Sequence, residues 1–209
     1  IKQDDYIFTL KIHRDKTLTC FDQVDYSIDE IFKLSPLTFT IPNLLESEKA
    51  VFIKYTSNTR KYSDLFECIE WELNMTFHKK YMTLNEWFPK IIKGAQVQRY
   101  FLTDKPSQWL IEYVNKDQYL NDFSKSKKAS HFNYDRIVLQ GITGANDKLR
   151  IIGAYMNKNL FCANSCNYII SKNQNILWLT VLLWIFNSKL TNWIFRKTST
   201  NSNVNCYEV

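Results

Sequence analysis

The sequence predicts an α+β fold, a twisted and mainly antiparallel or mixed sheet against which an apolar C-terminal helix packs. Three features carry that prediction. β-branched and aliphatic segments concentrate between residues 97 and 171. The uninterrupted apolar run Ile176–Phe186 follows them, with Asn173, Gln174 and Asn175 before it and Asn187, Ser188 and Lys189 after it. Composition supplies the interior: 45% of the 209 residues are hydrophobic and 15% aromatic, enough to bury a substantial core.

In chain order, residues 6–10 and 18–24 read as extended pieces joined by the charged turn His13-Arg14-Asp15-Lys16. A helix is expected from Ser27, with Asp29 and Glu30 in its first turn, ending at Ser35-Pro36 because proline disfavours a helical residue before it. Residues 37–41 alternate apolar with polar, the period of a half-buried strand. Residues 51–56 fit a helix or a strand equally well. A charged segment, 61–67, leads into a mixed run ending at Phe77.

Residues 97–102 and 109–114 have strand character and are split by a turn at Pro106. The stretch 115–134 is the most polar of the chain and reads as an exposed loop, with no apolar residue in Ser124-Lys125-Ser126-Lys127-Lys128. Residues 136–141 and 149–155 are β-rich and flank a connection holding Gly141, Gly144, Asn146 and Asp147, the pattern of a hairpin. Residues 160–171 stay strand-like. The helix around Trp178 is expected to be buried on most sides, and a second aromatic stretch at 190–195 closes the chain. The organisation is a smaller lead-in over residues 1–90 and a main domain over 91–209.

Several chemistries are excluded or disfavoured. A formal charge of +6 favours an anionic partner only mildly, since no long basic run accompanies it. Five cysteines, an odd number with no signal peptide ahead of them, point to reduced thiols and a cytoplasmic protein. The apolar run Ile176–Phe186 is about half the ~20 residues that a membrane span requires. Gly94, Gly141, Gly144 and Gly153 form neither a dinucleotide fingerprint nor a phosphate loop, and Gly141-Ile142-Thr143-Gly144 reads as a turn. An adenine-methylating site needs two adjacent prolines after an Asn or Asp, and no two prolines are adjacent here.

Cys162 and Cys166 lack two further ligands at metal-binding spacing, while His13, His78 and His131 stand alone. The acids Asp64, Glu67, Glu70 and Glu72 lack the lysine of a nuclease pattern and read as a solvated acidic face. No metal site is expected. Ile1 and Val209 read as the ends of a domain from a larger protein.

The C-terminal half carries a more specific pattern. It comprises Ile91-Ile92-Lys93-Gly94-Ala95-Gln96-Val97-Gln98-Arg99-Tyr100, the strand Tyr134-Asp135-Arg136-Ile137-Val138-Leu139-Gln140-Gly141, the pair 150–155 and 161–170, and Leu182-Leu183-Trp184-Ile185-Phe186-Asn187-Ser188-Lys189-Leu190. In that order these elements resemble the TaqI-like C-terminal specificity domains, whose helix ends in a Leu-Asn-Ser-Lys pattern. The resemblance implies a target-recognition domain of an adenine-specific DNA methyltransferase or restriction-modification enzyme. Such a domain has no chemistry of its own. Its S-adenosylmethionine would be bound by a catalytic domain outside this chain, in cis or as a partner subunit, and its own partner would be double-stranded DNA.

Sequence reading needs cations for phosphate and amide or guanidinium groups for base edges. Lys125, Lys127 and Lys128 are the expected phosphate contacts, with Lys93 and Arg99 on the opening element competing against internal pairing. Arg136, Gln140, Thr143 and Asn146 surround the predicted hairpin as candidate base readers. Arg196, Lys197 and Asn201 lie in the polar stretch after the helix, and Phe132 and Tyr134 are candidates to meet an exposed base. Most of the six tryptophans are expected in the core. The competing reading is an assembly module that docks a partner subunit through the apolar helix and exposed aromatics.

Overall fold

The computed structural model describes residues 7–13, 21–34, 41–56, 62–106, 110–143, 149–199, 201 and 203–206. Its contacts group the chain into two units, one formed by residues 1–61 with 196–200, the other by 62–195 with 201–209.

In the first unit β1 (Ile7–His13) and β2 (Phe21–Ser27) pair antiparallel. Helix α1 (Ile28–Leu34) starts where the sequence places it. The Ser27 hydroxyl accepts from the Glu30 amide at 3.2 Å and the Glu30 carboxylate accepts from the Ser27 amide at 2.8 Å, a reciprocal cap that satisfies two orphan donors. The ambiguous segment at 51–56 is the second half of helix α2 (Glu46–Thr56), which buries Phe52 beside Val24, Tyr26 and Leu44. Of the strand expected at 37–41, residues 37–40 lie outside the described residues, and Ile41 is in no strand.

The second unit is built on a four-stranded antiparallel sheet in the order β3 (Phe66–Glu70), β10 (Cys166–Ser171), β7 (Arg136–Gln140), β8 (Gly153–Met156). Shorter pieces frame it: β4 (Met82–Thr83) with β6 (Tyr113–Val114), and β5 (Ile91–Ile92) parallel to β9 (Phe161–Cys162). The hairpin expected around Gly141 is present, with Ile137 opposite Tyr155 and Val138 opposite Ala154. Strands β7 and β10 are covered on both faces, which is why Ile137-Val138-Leu139 and Tyr168-Ile169-Ile170 are unbroken apolar runs instead of alternating with polar residues. Ile137, Leu139 and Ile169 face helix α5 (Ile176–Phe186) through Leu179, Leu182, Leu183 and Phe186. Val138, Tyr168 and Ile170 meet Ile92, Val97, Ala154 and Met156 on the other side. The α+β expectation with a packed C-terminal helix therefore holds.

Four local expectations are corrected. The polar stretch 115–134 is not a loop: it forms α3 (Lys116–Asp122) and α4 (Lys127–Ser130), followed by a short 3-10 turn. The Asn115 side chain caps α3 by accepting from the Gln118 amide at 3.3 Å, and Tyr119, Ala129 and Phe132 are buried against Phe161. A few aromatic anchors outweigh a polar composition. Helix α5 is buried on one side only, since Leu177 and Trp184 are 71% and 67% exposed. None of the described tryptophans is buried, and Trp87 is 91% exposed. Finally, Glu72 is not on a solvated face but wholly interior.

The helical end of the chain holds the sheet's edge. Between α5 and α6 (Lys189–Thr198), the buried Asn187 amide donates to Gly153 O at 2.9 Å and its oxygen accepts from the Gly153 amide at 3.2 Å. Asn192 accepts from the amides of Arg150 and Ile151 at 2.7 and 2.8 Å. The start of edge strand β8 and the residues leading into it thereby have their outward backbone groups bonded by side chains, which blunts that end of the edge. No helix among the described residues is long and apolar enough to cross a membrane.

Two predictions follow from this packing. Asn187→Ala leaves the Gly153 amide without a partner in the interior and its carbonyl with one bond instead of two, and should lower unfolding free energy by roughly 1–3 kcal/mol in urea titration. His131 is buried, with Nδ1 2.9 Å from the Tyr168 hydroxyl, and burial, helped by the nearby Arg136 charge, pushes its pKa down to about 4. The unfolded chain takes up this proton near pH 6.5, before the native state does, so stability is complete above that pH and falls as pH drops towards 4. Urea midpoints should decline across that window by an amount worth about 3 kcal/mol, and His131→Asn should flatten the decline.

Candidate nucleic-acid interface

Three chain segments converge on Ser165. The Gly94 amide donates to Ser165 Oγ at 2.9 Å, and the Gly141 amide donates to Ser165 O at 3.0 Å. A β-carbon on Gly94 would lie 2.9 Å from Ser165 O and one on Gly141 3.1 Å, so the approach requires the absence of a side chain at both places. The segment around Ser165 is itself fixed by the Ala163 amide donating to Ile92 O at 2.9 Å.

This convergence shapes a cleft of about 580 Å³ with three carboxamides in its lining, Gln98, Gln140 and Asn164. Gln140 donates to Ile142 O at 3.1 Å, which holds its amide in place. Asn164 is exposed and makes no side-chain hydrogen bond among the described residues. Lys93 and Glu112 also line the cleft, where the lysine ammonium is bonded to the Glu112 carboxylate and to Leu110 O at 2.9 Å. The pair neutralises itself. The cleft therefore presents neutral donors and acceptors together with the apolar Met75 and Ile142.

One rim is the turn at 97–102. Val97 bridges Leu102, and the Gln98 amide donates to Phe101 O at 3.0 Å. Tyr100 sits at its tip with φ of 79°, a left-handed conformation that a non-glycine residue adopts at a cost of about 1–2 kcal/mol. The Tyr100 amide donates to Gly153 O at 2.8 Å, which fixes the turn to β8. Gln98, Arg99, Tyr100 and Phe101 are all exposed. Arg99 lies 5.1 Å from the Tyr100 ring centre and donates to Asn187 O at 2.6 and 3.1 Å.

A family model described as the TaqI-like C-terminal specificity domain matches residues 89–208. The chain belongs to this family. No curated protein matches it. A TaqI-like specificity domain is a DNA-recognition module of restriction-modification systems, and the elements that carry the likeness here have structural work. In the Lys93-Gly94 element, Gly94 keys the turn at Ser165 and Lys93 is paired with Glu112. In the Asn187-Ser188-Lys189 element, Asn187 holds the edge strand.

The specificity domain rearranges the residues nominated from sequence. Gln140 lines the cleft and Arg99 stands on its rim turn. Lys125 is exposed. Lys127 is exposed but bonded to Glu67 at 2.8 Å, and Lys128 lies over the Trp71 ring while donating to Glu70 O at 3.0 Å. Tyr134 is half-buried, 5.4 Å from the His131 ring. Arg196 is exposed, whereas Lys197 is paired with Glu48 at 2.7 Å within the first unit. Asn201 is exposed, and its carbonyl accepts from Arg150. Asn146 lies outside the described residues.

Four nominations are corrected by burial. Arg136 is wholly buried and ion-paired with Glu72, Lys93 is closed in its pair with Glu112, Thr143 accepts from Arg150 in the interior, and Phe132 is stacked on Phe161 at 4.6 Å. Gln98, Tyr100 and Asn164 escaped the sequence reading. Each is a single residue inside an otherwise structural segment, and only the fold brings the two amides beside Gln140.

The tight approach at Ser165 gives a prediction. Gly94→Ala forces backbone movement at Ser165 and should destabilise the domain by roughly 1–3 kcal/mol, read as a lower urea midpoint.

Proposed function

We propose that this specificity domain selects the DNA sequence on which an adenine-specific methyltransferase acts, and holds the duplex for a catalytic domain that lies outside this chain. Membership of the TaqI-like family carries the reading. In it, the recognition domain works in the cytoplasm on double-stranded DNA. The exposed cations Arg99 and Lys125 supply phosphate attraction, and the amide cleft supplies polar groups at neutral charge.

S-adenosylmethionine belongs to the absent domain in this reading. The described glycines do not offer it an open backbone: Gly94 and Gly141 abut Ser165, and Gly153 abuts Leu139 and Leu183. A second reading is favoured by the outward face of α5, where Ile176, Leu177, Trp178, Val181 and Trp184 are exposed together. That face suits docking of a partner protein, and large exposed apolar patches commonly mark such contacts.

Salt dependence separates the two. With about five phosphate contacts, a plot of log Kobs against log salt should fall with a slope near −4 to −5, a loss of roughly 10²–10³ in affinity between 50 and 200 mM, followed by fluorescence anisotropy on a labelled duplex. Lys125→Ala should weaken binding to all sequences alike and reduce the slope by about 1. Salt-insensitive binding, or none at low salt, would leave the docking reading.

A further inference from the structure

Resting on the DNA-recognition reading above, we propose that the cleft between Gln98, Gln140 and Asn164 is a base-edge reader whose ligand is an A·T pair presented in the major groove. Its chemistry selects against phosphate. Lys93, the only cation in the cleft lining among the described residues, is buried and already bonded to Glu112 and to Leu110 O, so an anion entering there would meet a neutral pair and a backbone dipole of the wrong sign.

Carboxamides suit a neutral edge that offers one donor beside one acceptor. Adenine presents that pattern, N6–H₂ next to N7, in the major groove only, and glutamine or asparagine matches both atoms in one plane. Guanine presents two acceptors there and calls for arginine or lysine, which this cleft lacks in free form. The apolar members complete the argument. Ile142 is 63% exposed and Met75 half-buried in the same lining, and the thymine methyl group is the one apolar feature on a major-groove edge.

Preorganisation is built in. Gln140 closes the end of β7 with its Nε2 donating to Ile142 O at 3.1 Å, which leaves its Oε1 to accept from an incoming amino group. Asn164 stands in the turn clamped by Gly94 and Gly141, and Gln98 in the turn fixed through Tyr100 to β8. These bonds tie the reader to its scaffold, which lowers the ordering cost of forming hydrogen bonds to a base.

The test is selection of duplexes from a random library by the whole chain, with Gln98→Ala, Gln140→Ala and Asn164→Ala run in parallel. All three side chains are at least partly exposed, so folding is not at stake. The wild-type chain should enrich an A·T pair at one or more fixed positions, and at least one variant should lose that preference by roughly ten- to hundred-fold. Replacing the selected adenine by 7-deazaadenine, or its thymine by uracil, should weaken wild-type binding while leaving the insensitive variant unchanged. A selected motif that survives all three substitutions, or one that contains only G·C pairs, would overturn the cleft as reader while leaving DNA recognition intact. Failure of the chain to bind any duplex at low salt would overturn both.

Discussion

The buried pair of Glu72 and Arg136 is the constraint on which the recognition unit depends. Both side chains are fully excluded from solvent, 2.5 Å apart. The same carboxylate oxygen accepts from the Cys162 amide at 2.9 Å, so one group ties the chain just after β3 to the first residue of β7 and to β9. Burial pushes the Glu72 carboxyl up, opposed chiefly by the Arg136 charge and then by the Cys162 amide. Such a pair adds little net stability over a well-packed apolar replacement, but removing one partner strands the other and costs about 3–5 kcal/mol. Its value lies in register: once Cys162 is fixed, the turn carrying Asn164 and Ser165 has only a short chain in which to wander. Among the described residues, Glu72 Oε1 and Arg136 Nε have no hydrogen-bond partner.

A second set of contacts transmits that register across the sheet. Asn187 occupies the backbone of Gly153 at the start of β8, Asn192 the amides of Arg150 and Ile151 just before it, and the Tyr100 amide shares the Gly153 carbonyl with Asn187. The aliphatic helix thus does more than cover the sheet. Its terminal asparagine links α5, β8 and the 97–102 turn into one hydrogen-bonded path that ends at the cleft. The strained backbone of Tyr100 is tolerated because the Gly153 bond over-determines it.

The elements legible in the sequence were those whose pattern is local. The helix start at Ser27, the hairpin at Gly141 and the apolar run of α5 each carry their signal within a few residues. Composition misled where isolated anchors decide the outcome, as with Tyr119 and Phe132 in a polar stretch that folds as helices. It misled again for α5, because an all-apolar run gives no sign of which face is covered. Site residues were legible by chemical type but not by environment. Arg136 and Gln140 stand four apart on one strand, yet Arg136 meets a buried carboxylate and Gln140 a solvent-open cleft. The partner that separates their fates, Glu72, lies 64 residues away from Arg136.

Environment also decides which of the cations are able to serve a phosphate backbone. Arg136 is closed in a pair that cannot exchange partners without stranding the Glu72 carboxylate in the interior, at a cost of several kcal/mol, and Lys93 is itself buried beside Glu112. Lys127 is different. Its side chain is 70% exposed and its bond to Glu67 is of the solvated kind, worth no more than about 1 kcal/mol, so a phosphate can displace the carboxylate at little cost. Within the DNA reading a modest excess of six positive charges is enough, because attraction depends on how many cations can exchange partners rather than on their sum. In the same reading this division assigns affinity to exposed, exchangeable lysines and leaves discrimination to uncharged amides held by a rigid frame. Uncharged readers keep tight but indiscriminate phosphate binding from competing with the choice of base.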